Sequence, residues 1–257
     1  MGARKGPRGG QSKAARSRGN KGRAAESAST KTVSLRGRAV ALSWRESRRA
    51  RRLTLLVDPH SGMAQLVVPP RTPPERASRF LRENSDWLLA RLADLPPRVA
   101  FADGTTLTVL GRSLVLRHRP NLAAGVRVDR GTMFVGGPES EMARQVTDWL
   151  RDQATSAIAE RANTIANQLG RRIARITVRD TRTRWGSCSP SANLSFSWRL
   201  VLAPLPVLDY VVAHEVAHLV KLHHGPGFWT LVERLCPLYQ RWRDWLGDHG
   251  AQLLRYG

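Results

Sequence analysis

Residues 214–224 read His214-Glu215-Val216-Ala217-His218-Leu219-Val220-Lys221-Leu222-His223-His224. Residues four apart on a helix share one face, one turn above each other. On a helix, His214 and His218 therefore aim two imidazoles at a single point, and Glu215 stands beside it. Neutral imidazole is a good zinc ligand, and two at this spacing fill two of four tetrahedral positions. A glutamate next to the metal is placed to take a proton from an attacking water. H-E-x-x-H also arises by chance on helices. Here its neighbours Val211, Val212, Ala213, Val216, Ala217, Leu219 and Val220 are apolar. Two histidines and a glutamate in so apolar a helix are costly to bury unless something satisfies them. The segment predicts a metal site with Zn2+ as cofactor, and a metal-dependent hydrolase.

The third protein ligand is harder to read. At about 1.5 Å per residue, His224 would lie roughly 9 Å beyond His218 on a continuous helix. It reaches the same metal only if the helix ends first and the backbone turns back. Gly225-Pro226-Gly227 breaks the chain, but after His224. The metzincin pattern H-E-x-x-H-x-x-G-x-x-H makes this turn with a glycine, where this protein has Lys221. Spacing favours His224 as the third ligand, with His223 and Glu233 as rivals.

Working outward, the sequence reads as a mixture of strands and helices. Leu53–Val57 and Ala64–Val68 flank the turn-forming Asp58-Pro59-His60-Ser61-Gly62, which predicts a hairpin. One helix is expected across Ala77–Leu92. Two further hairpins are expected, Leu107–Leu110 with Leu114–Leu116 and Val126–Val128 with Met133–Val135. A long helix follows over Glu139–Leu169, and Gly170 suits its end. Ile173–Val178 and Leu194–Leu200 read as strands, the second by strict alternation of apolar and polar residues. The motif helix starts near Pro206, and two closing helices cover Phe228–Cys236 and Pro237–Leu246. No internal repeat is evident.

Composition narrows the setting. The protein has 257 residues and a net charge of +22, of which residues 1–52 carry +14. Residues 1–31 contain no large aliphatic side chain and read as a disordered basic tail. Residues 1–52 are thus a candidate contact for nucleic acid or another polyanion through salt-sensitive phosphate contacts. No stretch approaches the roughly 18 apolar residues of a membrane helix, so no membrane partner is expected. There is no apolar block of a secretory signal, and two cysteines are too few for a disulfide framework. A cytoplasmic location is expected. Nothing in the sequence sets the oligomeric state.

Arg184-Trp185-Gly186-Ser187-Cys188-Ser189, Trp198-Arg199-Leu200, Ala203-Pro204, Asp209-Tyr210-Val211-Val212, the motif itself and Phe228-Trp229 occur in that order. Together they resemble the YgjP-like metallopeptidases, related to the SprT-like zincins, over about Ser47 to Leu246. The resemblance implies an α+β, zincin-like fold with an N-terminal β-rich part. This gives a tail at 1–31, hairpins plus one helix at 32–140, and a catalytic part at 141–257. It implies His214, His218 and His224 as zinc ligands and Glu215 as catalytic base; it does not settle the substrate, for which a peptide or protein is the leading expectation. In the Arg184–Ser189 segment, Arg184 and Ser187 are candidate substrate contacts, Trp185 and Cys188 are expected in the core, and Gly186 is expected to make a turn. Tyr210, one turn before His214, is a candidate oxyanion donor. Two other functions stay open. Arg179, Arg182, Arg184 and Arg199 suit a phosphoester or nucleotide hydrolase on the same metal, and the tail suits a nucleic-acid-associated protein.

Overall fold

A computed structural model describes residues 28–257. The expected tail lies mostly outside them, but strand β1, Ala28–Leu35, begins inside the stretch read as tail. It pairs with β2, Arg38–Glu46, in a hairpin the sequence reading missed. Strands β3, Thr54–Asp58, and β4, Met63–Val68, form the expected second hairpin. The two hairpins join through a parallel pair, Leu42–Glu46 beside Ala64–Val68, giving the order β1-β2-β4-β3.

The same design recurs. Strands β5 (Thr106–Val109), β6 (Arg112–Arg119), β7 (Gly125–Asp129) and β8 (Thr132–Gly136) form a second sheet in the order β5-β6-β8-β7. Its two hairpins also join through a parallel pair, Val115–Arg119 beside Thr132–Gly136. This is an internal repeat, contrary to expectation. It is faintly present in sequence: Leu35-Arg36-Gly37-Arg38-Ala39-Val40-Ala41-Leu42 matches Val109-Leu110-Gly111-Arg112-Ser113-Leu114-Val115-Leu116. Both turns place two residues at positive φ, Arg36 and Gly37 at 49° and 77°, Leu110 and Gly111 at 49° and 79°. That is the backbone a two-residue hairpin needs to follow strand twist, and the second position favours glycine. Leu35, Val40 and Leu42 are buried in one sheet, and Val109, Leu114 and Leu116 in the other.

The first sheet packs on α1, Pro74–Glu83, and α2, Ser85–Ala93, around a small core that includes Leu42, Leu66, Leu81 and Leu88. The expected single helix is split at Asn84, whose side-chain amide donates to the Phe80 carbonyl at 2.8 Å. An asparagine that bonds the backbone locally competes with helix continuation. The second sheet packs on α3, Glu139–Gln168, which buries Met142, Val146, Leu150, Ile158 and Ala162.

A third sheet has the order β10-β11-β9, from β9 (Arg175–Arg179), β10 (Gly186–Cys188) and β11 (Asn193–Ser197). The strand expected to reach Leu200 ends at Ser197. Trp198–Leu202 instead form a 3-10 turn whose five side chains are all buried. Arg199 is thereby carried into the core, where it pairs with Asp180 and donates to the Tyr256 carbonyl. Among the described residues, helices α4 (Leu205–Ala217), α5 (Pro226–Leu235) and α6 (Tyr239–Leu253) complete an α+β fold of three small mixed sheets and six helices. Among the described residues, no helix is long and apolar enough to cross a membrane.

Candidate metal centre

Helix α4 is apolar on nearly all sides, with Val207, Leu208, Val211, Val212, Ala213, Val216 and Ala217 buried. Such a helix belongs in a protein interior. It is held there by α3, α6 and the 3-10 turn, and this fixes where His214 and His218 stand.

The helix stops at His218. Val220 and Lys221 both donate to the Ala217 carbonyl, closing a tight turn, and the backbone reverses before His224 rather than after it. Lys221 sits where metzincins place glycine, and its backbone carbonyl has a use of its own. It lies 3.0 Å from His218 Nδ1. A proton on Nδ1 held by that carbonyl leaves Nε2 free to bind a metal. The reversal brings His224 Nε2 to 3.0 Å from His214 Nε2. The ligand atoms of His214, His218 and His224 all lie within 4.8 Å of one another. His223 and Glu233 are exposed and stay outside this cluster.

Two residues seen in sequence only as part of the family pattern build the wall behind the triad. Phe228 is 1% exposed, and its ring lies 5.0, 4.5 and 4.7 Å from the rings of His214, His218 and His224. Trp229 stacks on His224 and donates its indole N–H to the His224 carbonyl at 3.1 Å. Phe228 restrains three rings and Trp229 the backbone that carries the third. Their spacing after Gly225-Pro226-Gly227 was the available signal, but only contact with the imidazoles reveals the role.

The electrostatics suit a cation. Burial first, then His218 and His224, push the His214 imidazole down to about 4, and burial lowers His218. Both rings are therefore neutral at neutral pH, as ligands must be. His214 Nδ1 is buried with no hydrogen-bond partner among the described residues. Two nitrogens bound at 2.0–2.1 Å in a tetrahedral site lie roughly 3.3 Å apart, close to the spacing between His214 and His224. Three imidazoles converging on one point against an apolar wall fit a divalent metal.

Glu215 is buried, and burial raises its carboxyl to about 7 while the Arg184 guanidinium opposes the rise. Strand β10 lies directly against it. A Cβ at Gly186 would meet Glu215 Cγ at 2.5 Å. Gly186 was expected to make a turn, but it sits within β10 opposite Phe196, and its lack of a side chain permits this close approach. Ser187 is half-buried opposite Ser195 on the same strand. Trp185 and Cys188 are half-buried against the core, and burial raises the Cys188 thiol, with Glu215 adding to the rise. Tyr210 is buried edge-to-face with His214, and burial pushes its hydroxyl up to about 12.

The four arginines singled out by sequence do not form one group. Arg199 is committed to Asp180 and Arg182 pairs with Asp58 at 3.4 Å, whereas Arg184 is exposed.

A histidine triad with a buried glutamate beside it defines a metallohydrolase type of site. A family model described as YgjP-like, metallopeptidase domain, matches residues 51–249. The protein belongs to this metallopeptidase family, whose sites use a divalent metal. No curated protein matches. Among solved structures, the metallopeptidase zymogen abylysin of Pyrococcus abyssi is similar at 18% identity. The match covers 35% of this protein and 92% of that one, with a TM-score of 0.33, and at that score it adds nothing to the family assignment.

Proposed function

We propose that this protein is a zinc metallopeptidase in which His214, His218 and His224 hold the metal and Glu215 is the general base. The observation that carries the reading is the convergence of the three imidazoles beside a buried glutamate. Bound zinc would supply Lewis-acid polarisation of the scissile carbonyl. Glu215 takes the proton of the attacking water and delivers it to the leaving nitrogen. Strand β10 is an edge strand, so its outer backbone groups are available to pair with an extended peptide held over Glu215. Arg184 and Ser187 flank that peptide, and Tyr210 is the donor toward the developing oxyanion. Both cysteines are free, which agrees with a cytoplasmic setting.

Metal analysis of the wild-type protein and of His224→Ala, with a chelator-sensitive peptidase assay, tests the ligand set. A fully folded wild-type protein that takes up no zinc overturns the reading.

A polyanion partner is a second reading with an observation behind it. Arg48, Arg49, Arg51 and Arg52 lie between β2 and β3, and Arg48, Arg49, Arg51 and Arg52 are exposed there. Such contacts give steeply salt-dependent DNA binding. Binding that survives deletion of residues 1–27 and substitution of these four arginines removes it. The phosphoester reading is weaker, because protein carboxylates already engage Arg182 and Arg199. Phosphate release from a nucleotide panel that is lost in Glu215→Gln would revive it.

A further inference from the structure

A cavity of about 290 Å³ lies between the C-terminal end of α2, the segment before β10 and helix α6. Three arginines line it: Arg91 from α2, and Arg182 and Arg184 from the segment before β10. Trp185 lines it as well, with its indole packed onto α6, where a Cβ at Gly250 would meet the ring at 3.1 Å. The glycine therefore lets the indole lie flat against the helix. Residues near the C-terminus hold the two sides of the cavity together. Arg255 donates to the carbonyls of Pro96, Pro59 and His60.

The charge in this cavity is only partly answered. Asp94 lines it, and Asp58 engages Arg182 from outside. Asp94 and Asp58 answer part of the charge of these three arginines, and Glu215 beside the metal centre also acts on Arg184. Arg91 and Arg184 have no ion pair or side-chain hydrogen bond among the described residues. A planar guanidinium fork binds carboxylate or phosphate. A peptide presents carboxylates at its C-terminus and on acidic side chains, and these fit such a fork.

The cavity adjoins the metal centre. Its wall at Trp185 is one residue from Gly186, which touches Glu215. A peptide lying along β10 over Glu215 would therefore pass the Trp185 wall of the cavity.

We propose that this cavity is a substrate subsite that binds a peptide carboxylate, either the peptide's terminal carboxylate or an acidic side group, on Arg91 and Arg184. The inference rests on the peptidase reading for its substrate class, but its test does not need turnover. Zinc-loaded full-length Glu215→Gln protein is titrated with matched peptides by calorimetry. One set carries a free C-terminus or its amide, and the other carries an internal Glu or Gln. A charge-assisted contact gives about tenfold tighter binding of the carboxylate form. The set that shows the preference identifies the source of the carboxylate. Arg91→Gln, an exposed and fold-tolerant change, reduces the preference to near unity, and the nitrogen-15 signal of the Trp185 indole shifts only with carboxylate peptides. Equal binding of acid and amide forms in both sets, absence of peptide binding, or a preference unchanged by Arg91→Gln overturns the subsite. A preference that holds while the wild-type zinc protein cleaves none of these peptides counts against the peptidase reading and leaves the subsite standing.

Discussion

The two four-stranded sheets share a strand order, a parallel cross-pair and a turn sequence, but they rest on different things. The first closes on α1 and α2 around a core of its own. The second merges with α3, the 3-10 turn and α4 in one continuous core that reaches the histidine triad. The Leu110 amide donates to the Val201 carbonyl at 2.8 Å, so the second sheet's turn grips the segment that leads into α4. One local design thus serves two ends. In the first half it makes a satellite unit that bounds the arginine cavity, and in the second it fixes the helix that carries His214, Glu215 and His218.

Several changes would break or sharpen this comparison. The largest effect is expected from Glu215→Gln, which should lower peptide hydrolysis by about 10²–10⁴-fold. Zinc content and the unfolding transition of both halves should stay as they were, locating the chemistry rather than the stability. Retained hydrolysis in that variant would remove Glu215 from the mechanism.

Next come the equivalent core leucines. Leu42 and Leu116 are both almost fully buried. Truncating either to alanine should cost about 2–5 kcal/mol. Leu116→Ala should weaken zinc retention together with stability. Leu42→Ala should leave zinc retention intact and speed amide hydrogen exchange in β1–β4 alone. Equal loss of zinc from both variants would show that the two cores act as one.

A smaller effect is expected at Trp229. Trp229→Phe keeps a ring on His224 but removes the indole hydrogen bond to its carbonyl. Outer-shell losses of this kind cost about 10–100-fold in metal affinity. Chelator competition measures it, and an unchanged affinity would reduce Trp229 to packing.

The smallest effects test the repeat itself. A Cβ at Gly37 or at Gly111 meets nothing within 4 Å, so only the positive φ opposes alanine. Each substitution should cost about 1 kcal/mol, and by similar amounts. Unequal shifts in the denaturation midpoint would show that the matching turns are not equivalent.

Much of this fold was legible because it is local. The hairpins at 54–68 and 106–136 announced themselves through alternation and turn residues, and α3 through its apolar stripe. The missed first hairpin lies in polar, charged sequence, where β1 has little apolar patterning to distinguish it from tail. The strand read through Leu200 failed for a related reason. Alternation predicted one buried face, but Trp198–Leu202 is enclosed on all sides, and a tight helical turn buries consecutive residues, Arg199 included. The metal site divides in the same way. His214, Glu215 and His218 are readable because a helix fixes their spacing, whereas His224 depends on a turn.

The sequence by itself determined the helix that pairs His214 with His218, the glutamate beside them and the family pattern, because each depends on residues near one another along the backbone. Tertiary structure alone decided how the backbone reverses after His218, why Lys221 suffices where metzincins place a glycine, and why Gly186 must lack a side chain. It also brought Arg91 to Arg184 across more than ninety residues of sequence. Those are contacts between separate elements, set by which surfaces the buried cores bring together, and no local spacing encodes them.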